Sequence, residues 1–489
     1  MVKTLSYQQR GKIFWQEERP LLMVLLSLTI LRMGAILTSP LEFGVDEAQY
    51  WLWGQQLDFG YYSKPPLIGW FLALMDGLFG SSQQAARIMA PVFHLLIALI
   101  LYHCARTHFP DEAASKAAGR WVALFWISLP IVSLGSFVIS TDTILLVPWA
   151  IALSLFLTAL RKTQPSLFFI TGLIIGIGLL AKYAAAYFLL GAILCLVFDK
   201  SRHAQQTAKA SALLLAGALI SFSPNLLWNL ANGGITFAHI GENADLSVPL
   251  YSFASAFEFL LSQSAVTGPV FFILFAATLL RPRQSYLRFE LMMFCLPVLA
   301  IMTAQAYMKT ANANWAATAW PAACLLVGMA MAHHLPRRAG QLSLSVNLFA
   351  GLIVMIGLGL GDLHSFTPKS DPLRRLRGWD VLATDVAGAA DKHKAQIIIA
   401  DRRAEAALLS WHLHDSDLQI KVIDEDGIAG SHFELNHALQ EHDPRPYIII
   451  TDKDTSLPEP FARNAQMIGQ SETQISANRS RSKDIYLIR

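Results

Sequence analysis

Eleven apolar runs, most of them long enough to cross a bilayer, set the first limit on how this chain can fold. A membrane-spanning helix needs about 17–25 mostly apolar residues. Such runs lie near 21–39, 86–105, 119–137, 143–160, 166–181, 184–198, 210–228, 262–280, 289–307, 315–333 and 342–362. Those at 166–181 and 184–198 are short. Lipid offers the backbone no hydrogen-bond partners, so spans of this kind must be helical. Composition agrees: 54% of the 489 residues are hydrophobic and only 15% are charged, too apolar for a soluble protein. No small-residue cleavage pattern follows the first run, which therefore reads as an uncleaved span rather than a signal peptide. The four cysteines, Cys104, Cys195, Cys295 and Cys324, fall inside apolar runs without metal-like spacing and read as core hydrophobes.

Charge orients the runs. With the N-terminus in the cytoplasm, the inside loops hold Lys3, Arg10, Lys12, Arg19, Arg106, Lys116, Arg120, Arg161, Lys162, Lys200, Arg202, Lys209, Arg281, Arg283, Arg288, Arg337 and Arg338. The outside loops hold only Lys64, Arg87, Lys182 and Lys309. Cations favour the cytoplasmic side, so this orientation is expected and the four exceptions become candidate ligands. The run from Pro65 to Gly80 opens with two prolines and contains Asp76. Counting it as a span would move the basic clusters outside, so it reads as an interfacial or re-entrant helix in a first outer loop at 40–85.

Beyond Asp362 the chain turns polar. Short β-like runs at 396–400, 420–423, 447–451 and 485–488 flank a helical pattern at 403–412. Strands alternating with helices point to a small α/β domain. The expected division is a membrane domain at 1–364 and a soluble periplasmic domain at 365–489. No internal repeat and no glycine-rich phosphate loop is present, which counts against an ATP-driven machine.

The first outer loop concentrates the polar chemistry: Asp46, Glu47 and Lys64 lie among Tyr50, Trp51, Trp53, Tyr61, Tyr62 and Trp70. Charges this close to lipid are expensive unless used. If Asp46 begins a helix, its neighbour Glu47 points about 100° away. The two carboxylates then cannot flank one bond; one acts and the other supports. The alternative for Asp46 is a helix N-terminal charge. Lys64, held before Pro65 and Pro66, suits a lipid phosphate, with snorkelling as the alternative. The aromatics read as an interfacial belt, with sugar stacking by one or two of them as the alternative. Asp142 follows Ser140 and Thr141 at a span entrance and reads equally as cap or site residue. Lys182, between two short runs, suits phosphate; Arg87 at a span edge reads as a snorkelling residue, with a phosphate contact as the alternative. Arg32 lies mid-span and must face protein or water. Asn225 and Asn314 sit at outer span ends, where capping competes with lining a cleft. The His412–His414 pair reads as surface, and no histidine shows metal spacing.

In this order FGVDEAQYWLWGQQLDFGYYSKPPLIGW (43–70), STDTILL (140–146), LLAKY (179–183), PNLLWN (224–229) and NANW (312–315) resemble bacterial integral-membrane glycosyltransferases of the family 39 type. This is the dolichyl-phosphate-mannose protein mannosyltransferase-like group, with the GT-C membrane architecture. The chain is also similar to the lipid A aminoarabinose transferases and the lipopolysaccharide galacturonosyltransferases. The resemblance covers roughly residues 20–330. Segments RLRGWDVLATDV and IIIADR look like the tail many such proteins carry.

The resemblance implies transfer of one sugar from a polyprenyl-phosphate carrier to an acceptor hydroxyl at the outer face of a bacterial inner membrane. The acceptor would be a glycolipid such as lipid A, another glycan or a protein. Asp46 matches the family's catalytic carboxylate, with Glu47 beside it. Lys64 matches the carrier-phosphate lysine, and Asp142 and Lys182 match site-proximal positions. Tyr50, Tyr62, Asn225 and Asn314 would line the site, and Arg87 would join Lys64 and Lys182 at the phosphate. Gln49 stands where the aminoarabinose transferases carry Arg, which weighs against that donor. No cofactor, bound metal or nucleic-acid partner is expected, although a divalent metal is not excluded by one Asp beside one Glu. Cations aimed at the departing phosphate favour the transition state. The weak acceptor hydroxyl needs a base, for which Asp46 is the candidate, and direct displacement would invert the sugar. Competing readings are a transporter or flippase for lipid-linked sugars, and a binding or assembly protein; a transporter commonly shows inverted repeats, which are absent here.

Overall fold

A computed structural model describes residues 7–109, 111–243, 251–281, 285–362, 371–424, 427–455, 457, 459–476 and 479–489. Two compact units emerge. One comprises Met1–Thr38, Arg87–Pro224 and Ala244–Ile356; the other comprises Ser39–Ala86, Asn225–Asn243 and Gly357–Arg489.

The first unit is helical. Among the described residues seven helices of the chain are long and apolar enough to span a membrane: Gln16–Thr38, Gln83–His108, Thr141–Lys162, Ala204–Ala231, Tyr286–Met308, Ala313–His333 and Arg337–Leu360. The pair Phe253–Thr267 and Pro269–Leu279, bent by 113°, makes an eighth if it is one span. Eleven spans were expected, and the differences have local causes. The run at 262–280 breaks at Gly268, whose φ of +87° no ordinary helix residue adopts, and at Pro269, which cannot continue the hydrogen-bond ladder. The run at 119–137 breaks before Pro130, giving Glu112–Ser128 and Pro130–Gly135. The runs at 166–181 and 184–198 are the shorter helices Pro165–Ala181 and Tyr183–Phe198.

Small residues allow close helix approach in this unit. A Cβ on Gly172 would stand 2.1 Å from the Leu214 carbonyl oxygen, and one on Gly217 would stand 2.2 Å from that of Phe169. Arg32 faces protein: its Nη2 donates to the Ile127 carbonyl at 2.6 Å and to Ser133 Oγ at 3.0 Å. Cations assigned to one side of the membrane find acids on other helices, as in Lys116–Glu17, Arg120–Glu18 and Arg161–Glu290.

The second unit joins the first loop to the C-terminal domain. That domain carries a five-stranded sheet: β1 (Ile397–Ala400), β2 (Gln419–Val422), β3 (Tyr447–Asp452), β4 (Ala465–Ser476) and β5 (Arg479–Ile488), in the order β2-β1-β3-β5-β4. β1, β2 and β3 are parallel, whereas β5 runs antiparallel to both β3 and β4. Ile397, Ile399, Tyr447, Ile449, Phe461 and Ile488 form a core cluster. Helix Arg403–His412 lies where the sequence places it. β4 and helix Trp379–His393 are additions.

The first loop folds as two helices, Val45–Gln55 and Leu67–Phe79. The second has thirteen residues, about 20 Å at 1.5 Å per residue, and is too short to cross a core of about 30 Å. It buries Ile68, Leu72 and Met75 and exposes Leu74, Leu78 and Phe79, as an interfacial helix does. The expected boundary at 364/365 lies outside the described residues. The loop at 40–85, expected with the membrane domain, shares its unit with the C-terminal residues instead. Glu42 accepts the Gly378 and Trp379 N–H groups at 2.6 and 3.0 Å at the start of helix Trp379–His393, and His412 Nε2 lies 3.0 Å from its Oε2. Trp51 and Phe43 meet Trp411 with ring centroids 4.9 and 4.5 Å apart. Of the His412–His414 pair, His414 is exposed as expected and stacks on Trp411, whereas His412 is half-buried beside Glu42.

Candidate active site

In the second unit, helix Val45–Gln55 starts at Gly44. Glu47 Oε2 turns back to accept the Gly44 N–H at 3.0 Å, which ties the helix entrance. Glu47 is thereby buried, whereas Asp46 stays open with 63% of its side chain exposed. The pair divides as its helical spacing requires, one member supporting and one presented. Asp46 Oδ1 accepts from Arg403 Nη2 at 2.6 Å, and Arg403 Nη1 donates to Gln49 Oε1 at 2.9 Å. Arg403 opens the helix that follows β1. Position 49 carries no cation of its own, yet a guanidinium from the C-terminal domain reaches it.

Five of the six loop aromatics correct the belt expectation, while Trp70 stays half-exposed. Tyr50, Trp51, Trp53, Tyr61 and Tyr62 are all buried rather than set at a lipid-facing surface. Trp53 stacks on Tyr61 at 4.6 Å, and Tyr50 lies 5.3 Å from Trp53. Tyr61 Oη donates to the Trp53 carbonyl at 2.7 Å. Burial pushes the Tyr61 hydroxyl pKa up to about 12. Tyr62 lies 5.0 Å from the His239 ring. Lys64 sits half-buried beside this cluster, its carbonyl accepting the Tyr61 N–H at 3.1 Å and Pro65–Pro66 leading into the next helix. Asn225 is buried, and its Nδ2 donates to the Phe59 carbonyl at 2.7 Å. A Cβ on Gly60 would stand 2.3 Å from the Trp228 ring, so only glycine fits where the loop crosses that side chain. Asn225 is thus a fastener of the loop backbone.

In the first unit, Ser140 caps helix Thr141–Lys162 by accepting the Thr143 N–H at 3.2 Å. Capping by Ser140 leaves Asp142 available for other partners. Lys182 stands in extended backbone between helix Pro165–Ala181 and the turn at Tyr183–Ala185, where the break in helical geometry turns its side chain to Asp142. Its Nζ donates to both Asp142 oxygens, at 2.7 and 2.9 Å, and Asn314 Nδ2 donates to Oδ2 at 3.1 Å. Both partners are largely covered, with 17% of the Asp142 and 20% of the Lys182 side chain exposed. Arg87 is buried at 2% exposure, with its guanidinium 5.1 Å from the centre of the Phe137 ring, so it does not snorkel. Among the described residues no group of three or more His, Cys, Asp or Glu side chains is arranged to hold a metal ion.

Residues 63–228 match the family described as dolichyl-phosphate-mannose-protein mannosyltransferase. The lipid A galacturonosyltransferase RgtD of Rhizobium johnstonii is 30% identical over 436 residues, covering 88% of this chain and 90% of that protein. The chain belongs to the dolichyl-phosphate-mannose-protein mannosyltransferase-like membrane glycosyltransferases. A second relative, the lipopolysaccharide core galacturonosyltransferase RgtB of the same organism, is 27% identical over 262 residues, 51% of each chain. The crystal structures of ArnT from Cupriavidus metallidurans share this fold. The apo form has a TM-score of 0.64 at 14% identity over 95% of this chain and 97% of that one. The undecaprenyl phosphate-bound form has a TM-score of 0.66 at 14% identity over 97% and 98%. Membership makes the protein a multi-pass membrane glycosyltransferase of the GT-C type, and the transporter and binding-protein readings give way to it.

Sequence reasoning did not single out Arg403 or Glu42. Arg403 sits in an ordinary-looking ADRR turn, and its link to Asp46 spans 357 residues. The one available signal was Gln49, a polar side chain where the resemblance leads one to look for a cation.

Proposed function

We propose that this protein transfers a uronic acid residue from a polyprenyl-phosphate carrier to a hydroxyl of lipid A or a related lipopolysaccharide glycolipid. One observation carries the reading: the likeness to a lipid A galacturonosyltransferase extends over 90% of that protein's length. The undecaprenyl phosphate bound to ArnT supports a prenyl-phosphate donor by analogy of fold. In this reading the protein lies in a bacterial inner membrane, with the N-terminus cytoplasmic and the C-terminal domain periplasmic. The one-sided distribution of Arg and Lys supports that orientation.

Asp46 acts as the base. Its carboxylate takes the acceptor O–H proton as that oxygen attacks the anomeric carbon; the bond to the phosphate oxygen breaks, and polyprenyl phosphate leaves with an added negative charge. A single displacement of this kind inverts the configuration. Lys64 in the second unit and Lys182 in the first are each candidate cations for the charge developing on the phosphate. Lys182 already gives two N–H donors to Asp142, so its third is the one open to ligand. Arg87, being buried, adds positive potential rather than a contact surface. Tyr50, Tyr62, Asn225 and Asn314 shape the surroundings, and Glu47 holds the helix that presents Asp46. The reaction needs no cofactor, so transfer should withstand chelators.

The test is direct. Purified protein is given polyprenyl-phosphate galacturonate and lipid A in detergent, and free polyprenyl phosphate and glycolipid mass are followed. Coupled release and transfer, lost on Asp46→Asn, are expected. Release without any gain in glycolipid mass would refute the acceptor, and no release at all would refute the donor.

A further inference from the structure

Arg403 is a cation that neither the family likeness nor the proposed mechanism uses. Its setting in the second unit is bounded by ion pairs. The preceding Arg402 pairs with Asp452 Oδ2 at 2.8 Å. Two residues further on, Glu405 accepts from the buried Lys483 at 2.6 Å, and Lys483 also reaches Asp452 at 2.7 Å. The turn after β1 is therefore tied on both sides, at the carboxyl edge of the parallel strands, where α/β sheets commonly present ligand-binding residues. From that base the Arg403 guanidinium grips a carboxylate oxygen of Asp46 and the amide oxygen of Gln49. These contacts use two of its five N–H donors, and 42% of the side chain remains exposed. A planar guanidinium fork is suited to carboxylate and phosphate oxygens.

The electrostatics require such a group. Asp46 and Glu47 place two acidic side chains at the start of one helix, and any anionic ligand approaching Asp46 meets repulsion unless a cation stands between them. Among the described residues, Arg403 is a cation in contact with Asp46. We propose that Arg403 is a donor-binding residue: its guanidinium receives an anionic oxygen of the donor, either the carrier phosphate or the sugar carboxylate, while keeping its hold on Asp46. The C-terminal domain thereby contributes directly to donor recognition. This inference rests on the donor assigned above and adds the residue that reads its charge.

The experiment uses full-length Arg403→Ala and Arg403→Lys with polyprenyl-phosphate galacturonate as donor and undecaprenyl phosphate alone as a second ligand. Loss of a charge-assisted hydrogen bond predicts that donor KM rises about tenfold or more in Arg403→Ala, with a smaller change in kcat. Arg403→Lys should recover part of the loss, because lysine keeps the charge without the fork. Weaker binding of undecaprenyl phosphate alone by Arg403→Ala identifies the carrier phosphate as the partner. Unchanged binding of it, with donor KM still raised, identifies the sugar carboxylate. A donor KM within about twofold of wild type, or a fall confined to kcat, overturns the proposal. Melting temperature serves as the folding control, and the exposed side chain predicts little change in it. If wild-type protein releases no polyprenyl phosphate, the functional reading fails and takes this one with it. Normal wild-type turnover with an unaltered Arg403→Ala removes this one alone.

Discussion

Two carboxylate–cation contacts hold the candidate chemistry, and they are built in opposite ways. Asp142 and Lys182 are joined by two hydrogen bonds, with Asn314 on the same carboxylate and about four-fifths of each side chain covered. Asp46 and Arg403 share one hydrogen bond, and both remain open to solvent. A covered pair is costly to break, because removing one partner strands a desolvated charge. An exposed pair contributes little to stability and is free to exchange partners. The first contact is therefore suited to holding Lys182 in a fixed position, and the second to exchanging partners when substrate arrives.

The predictions sharpen or break that contrast, beginning with the largest. Asp46→Asn should lower the transfer rate by about a hundredfold to ten-thousandfold while leaving the melting temperature almost unchanged. Full activity would remove Asp46 from the chemistry. Lys182→Met should do more to stability, costing roughly 1–3 kcal/mol because it leaves a mostly covered Asp142 carboxylate unpaired. The companion Asp142→Asn/Lys182→Met variant should recover part of that loss, as thermal unfolding in detergent would reveal. A double variant no more stable than the single would show that the pair is not the source.

The open contact depends on the C-terminal domain, which has its own pH limit. His432 packs edge-on to Trp53 and Tyr61, and burial pushes its pKa down to about 3. The unfolded chain takes up this proton below about pH 6.5 and the folded chain only near 3. Stability is thus lost as pH falls through that window, by up to about 1.4 kcal/mol per pH unit. His432→Phe should flatten the acid limb of an unfolding curve, and an unaltered limb would exclude this histidine as its cause. Lys64→Ala should raise donor KM roughly tenfold, with melting little changed. The smallest effect is expected of Tyr61→Phe. It removes the hydrogen bond to the Trp53 carbonyl, about 1 kcal/mol, and also the stability that the raised hydroxyl pKa loses as pH climbs from about 10 to about 12. A melting temperature equal to wild type at pH 7 would show that this bond contributes nothing.

Much of the architecture was legible in one dimension. Seven long apolar helices, the interfacial helix after Pro66, four strands and helix Arg403–His412 lie where hydropathy and alternation place them. β4 escaped because its sequence, AQMIGQSETQIS, is polar and largely exposed on a sheet edge, where no buried face imposes a pattern. The aromatic loop misled for a related reason. Tyr and Trp suit a lipid interface and a mixed protein core equally well, and only contact with Trp411 and His432 distinguishes them.

Sequence alone determined that this chain enters the membrane many times, ends in an α/β domain and sets unusual charges beside its spans. These properties follow from side-chain solubility and local backbone preference, which neighbouring residues settle among themselves. Tertiary structure decided which of Asp46 and Glu47 is presented, that Ser140 rather than Asp142 caps its helix, and that Asp46 meets Arg403. Those outcomes depend on where distant segments come to rest, and a short-range electrostatic contact leaves no trace in local pattern until folding brings its partners within 3 Å.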